Sequence, residues 1–253
     1  MVFLDPLKIV LWLRFPAVVL TVYYAAVTFG SLYVLNVSIQ DTFAKAPYNF
    51  STLVLGLLYI PNSLGYVLAS IFGGRWMDFI MKREAVKAKR IGEDGKLVYR
   101  PEDRMRENAW LGAMLYPAAM VCYGWTAEKG VYWIVPVSQH VSAGIYFYFL
   151  VDTFQMIANF FYGIGSMLIF AMATTMLTEF MPKQSSNGVA VNNFVRNIFS
   201  CVGAIVAAPI IKAVGNGWLF TILGVWALLS SLTIWAMRRF GPKWRETMDR
   251  ELS

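Results

Sequence analysis

One ionisable side chain falls inside a long apolar run of this chain: Arg196, in VNNFVRNIFSCVGAIVAAPII. Charged groups in a hydrocarbon layer are costly, and by default they mark a substrate or ion pathway. At helical spacing Asn192, Arg196 and Ser200 fall at i, i+4 and i+8, with Asn193 and Asn197 beside them. Such a polar stripe has to face protein or water rather than lipid. It fits a cavity wall or a cytoplasmic gate, and it fits equally an arginine reaching back to the interface while the asparagines pack helix to helix.

Fainter stripes share the same periodicity. Thr21, Tyr24, Thr28 and Ser31 form one, Tyr59, Asn62, Tyr66 and Ser70 a second, and Asn159, Tyr162 and Ser166 a third. Together they could line an amphipathic cavity for an aromatic or cationic organic molecule, or serve as ordinary aromatic packing and interhelical hydrogen bonds. Pro61, Pro117 and Pro209 interrupt helical hydrogen bonding. Nucleophilic catalysis is not expected: Ser166 follows two glycines, but the sole histidine, His140, lies in a separate segment, and no other base is at hand. Cys122 and Cys201 sit in apolar segments and are expected to be buried packing residues, not a disulfide or metal pair, so no cofactor is expected. None of the fifteen carboxylates falls mid-segment, which leaves no titratable acid for proton coupling.

The elements that must position these residues are membrane helices. At 58% hydrophobic and 15% charged, the 253-residue chain is too apolar for an ordinary soluble domain. Six stretches can cross a bilayer, at about 15–38, 51–74, 108–125, 156–178, 188–211 and 217–237. The net charge of +7 does not point to nucleic acid, because the basic residues cluster in loops and ends. Eighteen lysines and arginines fall on the side of the N-terminus, the 75–107 loop and the C-terminus, against three on the other, which predicts that both termini and that loop are cytoplasmic. Trp12, Trp76, Trp110, Trp125, Trp218 and Trp244 sit at segment ends as interfacial anchors, and Asn49-Phe50-Ser51 is a glycosylation sequon on the predicted outer side. No cleaved signal peptide is expected. Residues 137–155 interrupt an apolar run with His140 and Asp152; they read as a retained-intron insert, whose ends fit splice-site dinucleotides, or as an extracellular loop.

The charged loop opens with GGRWMDFIMKR, in which Gly74, Asp78 and Arg83 resemble the loop motif of the major facilitator superfamily. FPAVVLTVYYAAVTFGSLYVLN and NNFVRNIFSCVGAIVAAPIIKAVGNGWLFTILG look like the C-terminal half of fungal drug:proton antiporters. The resemblance covers nearly the whole chain apart from 137–155. It implies an all-α membrane protein whose six transmembrane helices form one half of a major facilitator fold, helices seven to twelve of twelve. The implied function is efflux of drugs or secondary metabolites across the plasma membrane, proton-coupled and without a cofactor. The implied partners are the lipid bilayer, a small-molecule substrate and a second half or a second copy. The family's antiporter motif, on its fifth helix, cannot be mapped here. A truncated, non-transporting product or a membrane scaffold is the alternative.

Overall fold

The computed structural model describes residues 5–46, 48–92, 95–137, 141–181 and 184–252, without the side chains of 5–9, 129–137, 141–153, 249 and 252. Of the 137–155 segment, His140 and the side chain of Asp152 lie outside the described residues. The backbone of 141–155 is helix and runs unbroken into residues 156–180.

The described residues are nearly all helical. A 3₁₀ helix, Asp5–Arg14, leads into α1, Pro16–Phe43, which starts on a proline whose missing N–H costs nothing in the first turn. The short α2, Thr52–Leu57, stops where Pro61 can neither donate to the Leu57 carbonyl nor avoid crowding it; α3, Ile60–Lys87, comes next. The sequence places a helix end near residue 74, yet α3 continues to Lys87 through the first part of the charged loop. The remainder of that loop folds back through an antiparallel bridge between Ile91 and Leu97 and a 3₁₀ turn, Pro101–Arg104. Then come α4, Glu107–Val137, and α5, Val141–Phe180.

Next in the chain, α6, Ser185–Ser230, is two helices joined at Gly215, where φ 82° and ψ 168° leave the helical region. Only glycine takes that conformation readily. A Cβ there would also meet the Glu128 carboxylate at 2.7 Å. From α4, that carboxylate accepts a hydrogen bond from the backbone N–H of Gly217, one of the orphan donors at the start of the second arm. Where a charged tail was expected after Met237, the chain continues as α7, Leu232–Leu252, which buries Ile234, Met237 and Met248 and leaves Arg238, Arg239 and Lys243 exposed or half-exposed.

Four spans among the described residues are long and apolar enough to cross a membrane: Pro16–Phe43, Thr52–Lys87, Phe154–Phe180 and Ser185–Met248, the last containing the break at Gly215. Helix α1 packs on α6, α3 and α4 pack on α5, and α4 also meets α6. The crossings rest on glycine. A Cβ on Gly65 would lie 2.3 Å from the Phe160 carbonyl oxygen, and one on Gly203 would lie 2.8 Å from the Gly30 carbonyl oxygen. Ala207, one turn on from Gly203, is fully buried. Outward faces carry exposed apolar residues such as Leu64, Ile71, Val202 and Ile205, as hydrocarbon contact requires. Cys122 and Cys201, expected inside, are exposed free thiols on such faces, because an apolar position in a membrane helix can point to lipid as well as to the core.

Candidate functional site

Arg196 sits at the junction of four helices. Its guanidinium carbon stands 4.1 Å from the ring centroid of Phe29, on α1, and 4.6 Å from that of Phe170, on α5. The two rings meet edge to face at 5.9 Å. Tyr66, from α3, stacks parallel on Phe170 at 6.4 Å, and Tyr33 meets Phe29 at 5.2 Å. An arginine face is weakly hydrated and suits aromatic faces, so each ring contributes about 0.5–2 kcal/mol of cation–π attraction depending on how dry the site is. No carboxylate pairs with Arg196 among the described residues, and its buried Nε has no hydrogen-bond partner there.

The polar stripe on α6 divides around this arginine. Asn192 and Ser200 are buried, whereas Asn193 and Asn197 are exposed. The Asn192 side-chain oxygen finds no donor among the described residues, and neither do those of Asn62 and Asn159. Each is 8% exposed or less. Buried amides without partners are uncommon and expensive.

One layer further in lie three tyrosines. Tyr116, on α4, contacts Tyr24 at 6.5 Å and Tyr162 at 6.0 Å, the latter edge to face. Tyr162 Oη donates to the Thr28 carbonyl at 3.1 Å, and Thr28 Oγ1 donates to the Tyr24 carbonyl at 2.9 Å. Tyr24, Thr28 and Tyr162 come together as a packed layer: all three are 1% exposed or less. Ser166 Oγ, 3.3 Å from Tyr66 Oη, links this layer to the arginine cluster. Tyr59 stands apart, donating to the Asn36 carbonyl at 3.2 Å. Phe29 and Phe170 escape a search for polar periodicity, which passes over phenylalanine. The signal that could find them is the arginine itself, which needs aromatic or acidic neighbours in an apolar setting.

The loop-motif residues do not converge. Arg83 bonds Glu107 on α4 with one nitrogen at 2.7 and 2.9 Å and reaches Glu84 at 3.2 Å, tying α3 to α4. Gly74 and Asp78 are exposed; Gly74 has open space where a Cβ would stand, and Asp78 has no ion pair among the described residues. The close-packed glycine is Gly73, whose Cβ would meet Leu168 at 2.8 Å. Around Arg83 a denser ionic layer covers that end of the bundle: Arg106–Glu84 at 2.6 Å, Arg90–Asp103 at 2.7 Å, Arg104–Glu179 at 2.6 Å and Arg245–Glu102 at 3.4 Å.

No family model matches the chain. It is 47% identical over 241 residues to an MFS-type transporter of Gibberella moniliformis, covering 95% of this chain and 97% of that protein. It is 44% identical over 239 residues to the MFS transporter OpS2 of Beauveria bassiana, of which it spans 63%. To the MFS antiporter QDR3 of Candida albicans it is 34% identical over 246 residues, spanning 31% of that protein. A bundle of apolar helices closed around an aromatic-clasped arginine, matched to one fungal relative over nearly its whole length, places this chain in the major facilitator superfamily.

Proposed function

We propose that the chain forms the C-terminal, six-crossing half of a fungal exporter of small organic molecules, with crossings near 15–38, 51–74, 108–125, 156–178, 188–211 and 217–237. In this reading both termini and the 75–107 loop face the cytoplasm of a plasma-membrane protein. The break at Gly215 supports separating the fifth and sixth crossings. A second half, from a homodimer or a separate N-terminal chain, completes the cavity, and the two rock against each other.

The observation that carries the reading is Arg196, held between Phe29 and Phe170 with no carboxylate partner among the described residues. A lone positive charge beside aromatic faces suits a flat organic molecule with an electron-rich or anionic group. For a cationic substrate, or for proton coupling, the acid has to come from the second half. The printed name of the Candida relative, an antiporter, supports coupled exchange. Tyr66, Asn62, Asn159 and Asn192 form the inner wall of the proposed site, Tyr24, Thr28 and Tyr162 the packed layer behind it, and Tyr59, Asn193 and Asn197 its margins. Of Gly74, Asp78 and Arg83, it is Arg83 that ties the proposed cytoplasmic ends of α3 and α4, through Glu107.

The test is dye efflux from cells stripped of their own exporters, with the chain expressed alone and with a candidate N-terminal half. Arg196→Ala is expected to lower efflux by about tenfold and Arg196→Lys by less, since lysine keeps the charge but loses the planar stacking face. Full efflux by Arg196→Ala at normal membrane abundance would refute the assignment of the site.

A further inference from the structure

Beyond the arginine cluster, the charged end of the bundle holds a cleft of about 360 Å³ that none of the contacts above occupies. Its walls come from three separate parts of the chain: Arg90 just past α3, Arg100, Glu102 and Asp103 around the 3₁₀ turn, and Arg238 on α7, with Arg106 beside them. Four arginines face two carboxylates. Arg90 Nη2 is engaged by Asp103 and Arg106 by Glu84, but Arg100 and Arg238 have no ion-pair partner among the described residues, and Arg90 Nη1 is buried without one. The cleft therefore carries uncompensated positive charge in a forked geometry that matches phosphate oxygens.

A second observation narrows the ligand. The Glu102 side chain is 9% exposed; its Oε2 pairs with Arg245, while its buried Oε1 finds no donor among the described residues. Glu102 is also part of the cleft wall, and a carboxylate only accepts hydrogen bonds, so there it repels a bare phosphate and favours a hydroxyl. Phosphates for the arginines and a hydroxyl for Glu102 are the combined signature of a phosphorylated polyol. The depth fits a lipid headgroup: on the same α7, Trp235 meets Phe240 edge to face at 6.1 Å and Phe240 meets Trp244 at 5.7 Å, a run of aromatics of the kind found at a membrane–water boundary. The volume lies at the lower end of the roughly 300–1,000 Å³ of small-ligand sites.

We infer that this cleft binds the headgroup of a phosphoinositide in the leaflet beside the 75–107 loop, pinning that loop to α7. The inference rests on the cytoplasmic placement proposed above. A nanodisc exposes both faces of the protein, so binding there tests the cleft without testing the orientation or the transport reading.

The experiment titrates short-chain phosphatidylinositol bisphosphate into the full chain in nanodiscs of neutral lipid, with phosphatidylserine at matched charge and inositol trisphosphate as comparison probes. Saturable binding of the phosphoinositide is expected, at least about tenfold tighter than phosphatidylserine, with Arg100→Ala and Arg238→Ala each weakening it about tenfold. Arg239→Ala, one residue away but outside the cleft, is expected to stay within about twofold of the unaltered chain. Arg100 and Arg238 are exposed, so these variants should unfold at the unaltered temperature. Equal losses for Arg238→Ala and Arg239→Ala, equal affinity for phosphatidylserine, or no saturable binding would each overturn the site. Inositol trisphosphate binding as tightly as the lipid would overturn the membrane source.

Discussion

Replacing Gly65 by alanine adds one methyl group at the crossing of α3 and α5. The new Cβ would stand 2.3 Å from the Phe160 carbonyl oxygen, 3.0 Å from the Ile164 nitrogen and 3.2 Å from the Gly163 Cα, all of them backbone atoms. An ordinary contact begins near 3.4 Å, so the helices have to part by about 1 Å, and no side chain can swing away to absorb it. Overpacking costs about 1–3 kcal/mol, and rigid backbone puts this case at about 3. Alanine returns about 1 kcal/mol in helix propensity, leaving a net loss near 2 kcal/mol, or about thirtyfold in the unfolding equilibrium. Gly74→Ala on the same helix meets nothing within 4 Å and gains that propensity without the clash. The two variants should therefore differ by about 3 kcal/mol in reversible unfolding by denaturing detergent, with Gly65→Ala the weaker. Parting α3 from α5 also pulls Tyr66 from Phe170, so Gly65→Ala should lose efflux as well. Equal unfolding midpoints for the two variants would refute the claim that backbone contact at this crossing sets the spacing.

Glu128→Ala removes the acceptor for the Gly217 N–H and should cost about 1–2 kcal/mol, as loss of a helix N-cap does; Glu128→Gln keeps an acceptor and should recover part of it in the same unfolding measurement. The Arg83–Glu107 pair, with side chains 31% and 54% exposed, should show only weak coupling in a double-mutant cycle with alanine. The Glu107 carboxyl titrates below its ordinary range, held down first by its own backbone N–H and then by Arg83. Its contribution is complete above the unfolded carboxyl pKa and fades as pH falls through the folded value, which an acid titration of the unfolding midpoint would follow. Tyr162→Phe deletes the bond to the Thr28 carbonyl at nearly constant volume and should cost about 1 kcal/mol by the same denaturation, with the Tyr116 ring contact retained.

Apolar runs place the long helices, because burying backbone polar groups in lipid leaves few alternatives to a helix. Helix ends are less legible. The sequence stops a helix near residue 74 where charges begin, but α3 carries its charges onward to Lys87, since Glu84 is buried against Arg106 and Arg83. Nothing about Arg238–Ser253 reads as apolar, so the amphipathic continuation of α7 reads as a tail; its buried Met248 becomes visible only once a bundle exists to receive it. At the candidate site Arg196 stands out because a charge in an apolar run is costly wherever it occurs. Its partners do not, since Phe29 and Phe170 matter through faces that meet only in three dimensions.

The two ends of the bundle are fastened by different forces. Between elements, one end is tied by ion pairs, from Arg83–Glu107 to Arg14–Glu251. The other is tied by hydrogen bonds: Ser38 within 3.0 Å of Tyr123 and donating to Asn216 at 2.8 Å, Asn216 donating to Thr42 at 3.0 Å, and the Gly217 N–H donating to the Glu128 carboxylate. Ionic strength weakens exposed ion pairs and leaves neutral hydrogen bonds nearly untouched. Dissolved salt is therefore a lever with one point of application: it slackens the exposed pairs of the ionic end while the hydrogen-bonded end holds as a hinge.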